Sequence, residues 1–312
     1  MSGSTAPLEE RPLRIGTRGS PLALAQAHLV SGALAAAHPA APPADIVPIV
    51  TTGDRITDRP LADIGGKGLF AKEIEAALLA GAIDCAVHSA KDLETVLPDG
   101  LVIAAVLPRE DPRDALICPA SRTLEGIPRG ARLGTASVRR KSLMRALRPD
   151  LRIAPIRGNI GTRLGKVANG EFDATLLAMA GLIRAGCAGD AAPLAVDDFL
   201  PSAGQGIVAV QCRAGDAAVL GHVAPIDHPE TMAALRAERA VLAVLDGSCR
   251  TPIAAHAEIR DGRMTVRGLV ADPGGAGIWR HGERGPAGDP AALGQAVGQA
   301  LRAAAPPAVL AA

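Results

Sequence analysis

The alternation of short apolar runs with helical patterns constrains this chain more than any other feature. Leu13–Gly16 predicts a strand, and Ser20-Pro21 opens a helix reaching about His38, with Ser20 as N-cap and Pro21 in the first turn. Ile46–Thr51 predicts a second strand, Leu69–Ala80 an amphipathic helix closed by Gly81, Ile83–Val87 a third strand and Leu101–Leu107 a fourth. Repeated βαβ units imply a mostly parallel sheet flanked by helices.

The proline-flanked stretch Pro108–Arg113 reads as a hinge. A second α/β lobe follows, with strands near Leu116 and at Ala131–Gly134, Arg152–Ile156 and Asp173–Leu177, and helices from Ser137 and over Ile160–Ala168. The lobes echo each other, since Gly16-Thr17 and Gly134-Thr135 each end a strand before a serine and a helix. Ile207–Cys212 predicts a strand that crosses back to the first lobe. A strong helix over Pro229–Leu245 precedes three strands, near Ala254–Ile259, Met264–Ala271 and Ile278–Glu283, and a closing helix over Asp289–Ala304. Asp261-Gly262 supplies a two-residue hairpin turn. The expected fold is therefore α/β: two lobes with mostly parallel sheets, at residues 12–107 with 203–224 and at 112–202, plus a smaller C-terminal α+β domain at 228–312.

Aromatic side chains are scarce, with three Phe, one Trp and no Tyr, so the core must rest on Ala, Leu, Val and Ile. That scarcity and a formal net charge of +1 exclude a general nucleic-acid binder. No apolar run reaches the ~20 residues of a membrane span. The N-terminus lacks the pattern of a secretory signal. Five scattered cysteines form no CxxC pair, which argues against a zinc site or a redox motif and favours a reduced, cytoplasmic setting.

Within this neutral chain, five arginines gather in the middle third: Arg139, Arg140, Arg157, Arg163 and Arg184. Arg139 and Arg140 sit in the first turn of a helix, where positive charge opposes the macrodipole at a cost of about a few tenths of a kcal/mol each. An anionic ligand at that end would offset the cost; pointing away into solvent or pairing with Asp or Glu is the equal alternative. Arg157-Gly158-Asn159 and Arg163 repeat the theme after the next strand, so the two sets could converge on carboxylates. Arg184 alone reads as a surface charge. Lys91-Asp92 close the loop after the third strand, a place suited to acid–base work, with a surface ion pair as the bland alternative. His88 reads as structural, or as a support for the site. Gly65–Phe70 is glycine-rich without P-loop spacing, and reads as a mobile lid or a simple turn. Cys249, in a Gly/Ser/Pro loop beside Arg250, is either a buried inert thiol or an activated one.

Eight blocks resemble the porphobilinogen deaminase (hydroxymethylbilane synthase) family. They are 17–23, 65–70, Val87-His88-Ser89-Ala90-Lys91-Asp92, 110–114, 134–140, 157–163, Gly204-Gln205-Gly206 and Gly247-Ser248-Cys249. The resemblance implies two lobes like those of periplasmic binding proteins and a C-terminal domain carrying a dipyrromethane cofactor as a thioether on Cys249. It implies head-to-tail condensation of four porphobilinogen molecules with loss of ammonia, and hydrolytic release of hydroxymethylbilane. Asp92 matches the catalytic carboxylate. Arg18, Ser20, Lys91, Ser137, Arg139, Arg140, Arg157, Arg163 and Arg184 match residues that bind acetate and propionate arms. Lys67 and Phe70 fall in a lid, and Gln205 in a supporting segment. The family is expected to be monomeric, to use no nucleic acid, membrane or metal, and to pass its product to uroporphyrinogen-III synthase. Ala90, Glu94, Ala136 and Ser248 depart from the family's common Met, Pro, Ser and Gly.

Two other readings share parts of this pattern. A non-catalytic two-lobed anion- or solute-binding protein would have the same cleft, but would leave Asp92 and Cys249 without a role. A cysteine hydrolase lacks a histidine clearly paired with Cys249.

Overall fold

Strand–helix alternation of this kind leaves each sheet needing cover on both faces, and the chain supplies it. The computed structural model describes residues 11–55, 70–246 and 251–310. They fall into two compact units, one of residues 11–55, 70–109 and 207–232, the other of 110–206, 233–246 and 251–310.

The first unit holds strands β1 (Arg14–Arg18), β2 (Asp45–Ile49), β3 (Cys85–Ser89), β4 (Leu101–Val106) and β10 (Val208–Arg213), in the order β2-β1-β3-β10-β4. Strand β1 runs parallel to β2 and β3, whereas β10 runs antiparallel to β3 and β4. The segment after Gly206 thus does cross back, and it enters the middle of the sheet. Helix α1 (Pro21–Ala37) covers one face through Ala27, Val30 and Leu34, which pack with Ile15, Val87 and Val210. Ser20 caps it, accepting from Ala23 N at 3.3 Å. Helix α3 (Lys72–Leu79) covers the other face through Ile74 and Leu78. Short helices α2 (Thr52–Arg55) and α7 (Ala217–Val223) complete the unit.

The second unit repeats the plan. Strands β5 (Asp114–Ile117), β6 (Arg132–Gly134), β7 (Arg152–Ala154), β8 (Ala174–Ala178) and β9 (Ala192–Pro193) lie in the order β7-β6-β8-β5-β9. Four of the five strands point one way and β5 runs against them, just as β10 alone runs against its neighbours in the first sheet. The expectation of mostly parallel sheets therefore holds for β1–β3 and β6–β8; the remaining strands of both sheets make them mixed. Alternation along the strands sends Leu116 and Leu176 toward α4 (Val138–Leu147). It sends Ala115 and Leu177 toward α5 (Ile160–Ala168) and α6 (Met179–Arg184).

A third, antiparallel sheet, β11 (Ile253–Arg260), β12 (Arg263–Ala271) and β13 (Ile278–Pro286), belongs to the same unit. Asp261 and Gly262 turn its first hairpin at φ of 52° and 69°, the paired positive values of a type I′ turn. One face packs on α8 (Pro229–Val244) and α9 (Pro290–Ala304) through Val241, Val266 and Val297. The other, with Ala254, Leu269 and Ala271, joins the core of the second sheet. A last turn of helix, α10 (Pro307–Leu310), follows. Among the described residues no helix is long and apolar enough to cross a membrane.

Candidate active site

In the first unit, the C-terminal ends of β1 and β3 open onto a small cavity of about 50 Å³. Its lining includes Arg18, Ser20, Gln26, Phe70, His88 and Asp92. Asp92 reaches it from a 3-10 turn (Ala90–Asp92) that continues β3 and is anchored by Ala90 N donating to Ile207 O at 2.9 Å. Lys91 shares that turn. Among the described residues, the half-buried Asp92 carboxylate has no ion-pair or hydrogen-bond partner, so it is available to a ligand.

Arg18, at the end of β1, is already engaged. Its guanidinium meets Asp54 with Nη2 at 2.5 Å from Oδ1, and lies 4.1 Å from the Phe70 ring centre. Burial opposes the charge on Asp54, but hydrogen bonds from Arg18 and Thr51 outweigh it and hold the carboxyl below its ordinary range. Gln26 and Ser89 bond each other at 2.9 Å beside this group. His88 is buried, and burial pulls it down to about 4, so the ring is neutral at pH 7.

The second unit gathers the arginines. Ser137 caps α4, accepting from Arg140 N at 3.3 Å. Arg139 and Arg140 fold back onto one carboxylate, Asp114, which is fully buried. The anion that the first-turn charges called for is thus present within the chain. Two guanidinium groups on one carboxylate still leave a net positive charge, and Arg139 Nε is buried without a hydrogen-bond partner among the described residues. Gln205, also buried, donates to Pro112 O at 2.8 Å and lies 3.3 Å from Asp114 Oδ1.

Gly158 has φ +108°, and a Cβ there would come within 2.6 Å of Thr162. Glycine is therefore required for the turn that lets Asn159 cap α5. That turn delivers Arg163, whose Nε donates to Gly158 O at 2.8 Å. Burial, with the nearby Arg140 and Arg157 guanidiniums adding to it, lowers Arg163 to about 10. Arg157, Arg163 and Arg140 therefore form one electropositive group. Arg184 donates to Gly206 O at 2.7 Å. Burial pulls its guanidinium down and Glu110 partly restores it, so it is not the plain surface charge it resembles in isolation.

Lys67 and Cys249 lie outside the described residues. Of the other cysteines, Cys85 and Cys212 are buried, and burial pushes both thiols up, Cys212 to about 12, which makes them poor nucleophiles. Sequence reasoning missed Asp54, Asp114, Gln26 and Gln211. Asp114 lay in a quoted block, but nothing in the string distinguishes a buried clasp from a hinge charge.

The half-buried Arg157 and Arg163 guanidiniums, which repel each other beside the buried Arg140, suit a ligand with several carboxylates, and a dipyrromethane with acidic arms fits that donor set.

The family model described as porphobilinogen deaminase, dipyromethane cofactor binding domain, matches residues 13–221, and the model of the porphobilinogen deaminase C-terminal domain matches 232–303. The porphobilinogen deaminase of Nitrobacter winogradskyi is 52% identical over 290 residues, 92% of each chain. The chloroplastic porphobilinogen deaminase of Oryza sativa subsp. japonica is 49% identical over 88% of this chain and 78% of its own. Among solved structures, the periplasmic aliphatic sulphonate binding protein SsuA of Escherichia coli aligns with 74% of this chain and 70% of its own at 16% identity and a TM-score of 0.39, too distant to bear on the site. With both family models matched in order and half of all aligned positions identical to a curated relative, this chain belongs to the porphobilinogen deaminase family.

Proposed function

We infer that this chain acts as a porphobilinogen deaminase in tetrapyrrole biosynthesis, joining four porphobilinogen molecules head to tail with loss of ammonia and releasing hydroxymethylbilane by hydrolysis. A dipyrromethane held as a thioether on Cys249 supplies the pyrrole to which the first unit is joined. The observation that carries this reading is the available Asp92 carboxylate in the cavity of the first unit; within the second unit, the partly desolvated Arg163 beside Arg140 and Arg157 supports it.

Asp92 accepts the N–H groups of the reacting pyrroles, offsets positive charge as ammonia leaves, and takes up the proton shed by the attacked carbon. Arg18, Ser20 and Lys91 hold acetate and propionate arms next to it. Ser137, Arg139, Arg140, Arg157, Arg163 and Arg184 hold the arms of the growing chain. A bidentate Arg–carboxylate contact fixes orientation as well as charge, which a stepwise condensation needs. Phe70 covers the site, and Gln205 steadies the Asp114 clasp. A three-part division at 12–107 with 203–224, 112–202 and 228–312 accords with one sheet in each part, and a monomer that hands its product to uroporphyrinogen-III synthase completes the reading.

Incubation of the purified protein with porphobilinogen is expected to release ammonia and consume substrate. Its intact mass should exceed the sequence mass by a two-pyrrole adduct. A mass equal to the sequence, with no ammonia released, favours the non-catalytic binding protein instead.

A further inference from the structure

His88, on β3, is tied inward by one edge of its ring. Nε2 lies 3.0 Å from Gln211 Oε1, and Gln211 Nε2 donates to Glu75 Oε1 at 2.9 Å. All three side chains are buried, on β3, β10 and α3. The direction of this chain fixes a proton. A carboxylate only accepts, so Gln211 turns its NH2 toward Glu75 and its carbonyl oxygen toward the imidazole. The histidine proton then sits on Nε2, and Nδ1 keeps its lone pair. Nδ1 has no hydrogen-bond partner among the described residues. It belongs to a ring that lines the cavity with Arg18, Ser20, Ser89 and Asp92. The depressed basicity of the ring keeps that lone pair free at neutral pH.

We propose that His88 Nδ1 accepts a hydrogen bond from an N–H group of the substrate held beside Asp92, and that Gln211 and Glu75 are positioning residues that set its tautomer. The proposal rests on the deaminase reading, in which the substrate brings a pyrrole N–H and an aminomethyl ammonium. Both are donors that a neutral acceptor receives and an imidazolium would repel. The arrangement gives the pocket a second acceptor, uncharged, beside the Asp92 carboxylate.

Two substitutions separate this from a structural role. Asn at position 88 places an oxygen near the Nδ1 position, and Gln places one near Nε2. With porphobilinogen as substrate, His88→Asn is expected to stay within about threefold of the parent kcat/KM, and His88→Gln to lose about tenfold or more, the worth of one lost hydrogen bond. The reverse ranking, or equal loss in both, overturns the proposal. In parent holoenzyme labelled with ¹⁵N-histidine, His88 should report the Nε2–H tautomer, and added porphobilinogen should shift its Nδ1 resonance. An Nδ1–H tautomer, or no shift at saturation, overturns the proposal even if neither variant folds. A parent that consumes no porphobilinogen would sink the deaminase reading; an active parent with the reverse ranking would sink only the role of His88.

Discussion

Arg140 clasps Asp114 from the side, with Nε at 2.9 Å and Nη2 at 2.5 Å from the same carboxylate oxygen. Arg139 takes the other oxygen at 2.7 Å. Burial pushes the Asp114 carboxyl up, but the two guanidiniums outweigh it and hold it below its ordinary range. Removing the carboxylate would leave two buried cations facing each other. Asp114→Asn is therefore expected to cost about 3–5 kcal/mol of stability, the range for breaking a buried pair, measured by urea unfolding. A loss under about 1 kcal/mol would show that the clasp is not held in solution.

The same clasp sorts the arginines. Arg139 serves the fold as well as any ligand, so Arg139→Leu should lower both stability and elongation. Arg163, bonded only to the local Gly158 carbonyl among the contacts described for it, should separate the two effects. Arg163→Leu is expected to leave the unfolding midpoint nearly unchanged and to stall elongation, seen as accumulated enzyme-bound chains by intact mass. An unchanged elongation profile would place Arg163 outside the site.

Asp92 is argued to act on charge, not on packing. Asp92→Asn should keep the cofactor mass and the fold yet lose most of the rate, since the amide can neither offset a cation nor take a proton. Near-parental turnover would remove Asp92 from the reaction.

Cys249→Ala should give a folded protein with the sequence mass and no turnover. Parental activity in that variant would refute the attachment site.

Acid should weaken the first unit in two stages. His88 is depressed to about 4 by burial, so the stability it contributes is present above its unfolded value of about 6.5 and is lost as pH falls, about 3 kcal/mol in all. Asp84, buried under Arg11 and Arg14, also has a depressed folded value, against the opposing pull of burial. Its contribution is present above about pH 4 and fades below it. Urea midpoints followed from pH 7 to 3 should fall from about pH 6.5 downward, and His88→Asn should remove the upper stage. A flat midpoint to pH 4 in the parent would contradict the buried, neutral His88.

Local chemistry made much of the fold legible. Ser20 and Ser137 read as caps because only a short polar side chain satisfies the free N–H groups of a first helical turn, and both do so. Asp261-Gly262 read as a hairpin turn because both residues tolerate positive φ. What the string could not carry was pairing between residues far apart in it. Asp114 and Arg140 are 26 residues apart, and His88 and Gln211 are 123 apart. Their partnership depends on β5 lying beside β8, and on β10 entering antiparallel against β3. Sequence alone determined which groups could bear charge and where helices begin. Tertiary structure decided which charges are spent on each other and which proton a histidine keeps, because burial and strand order, not residue type, set the partners and the dielectric each group meets.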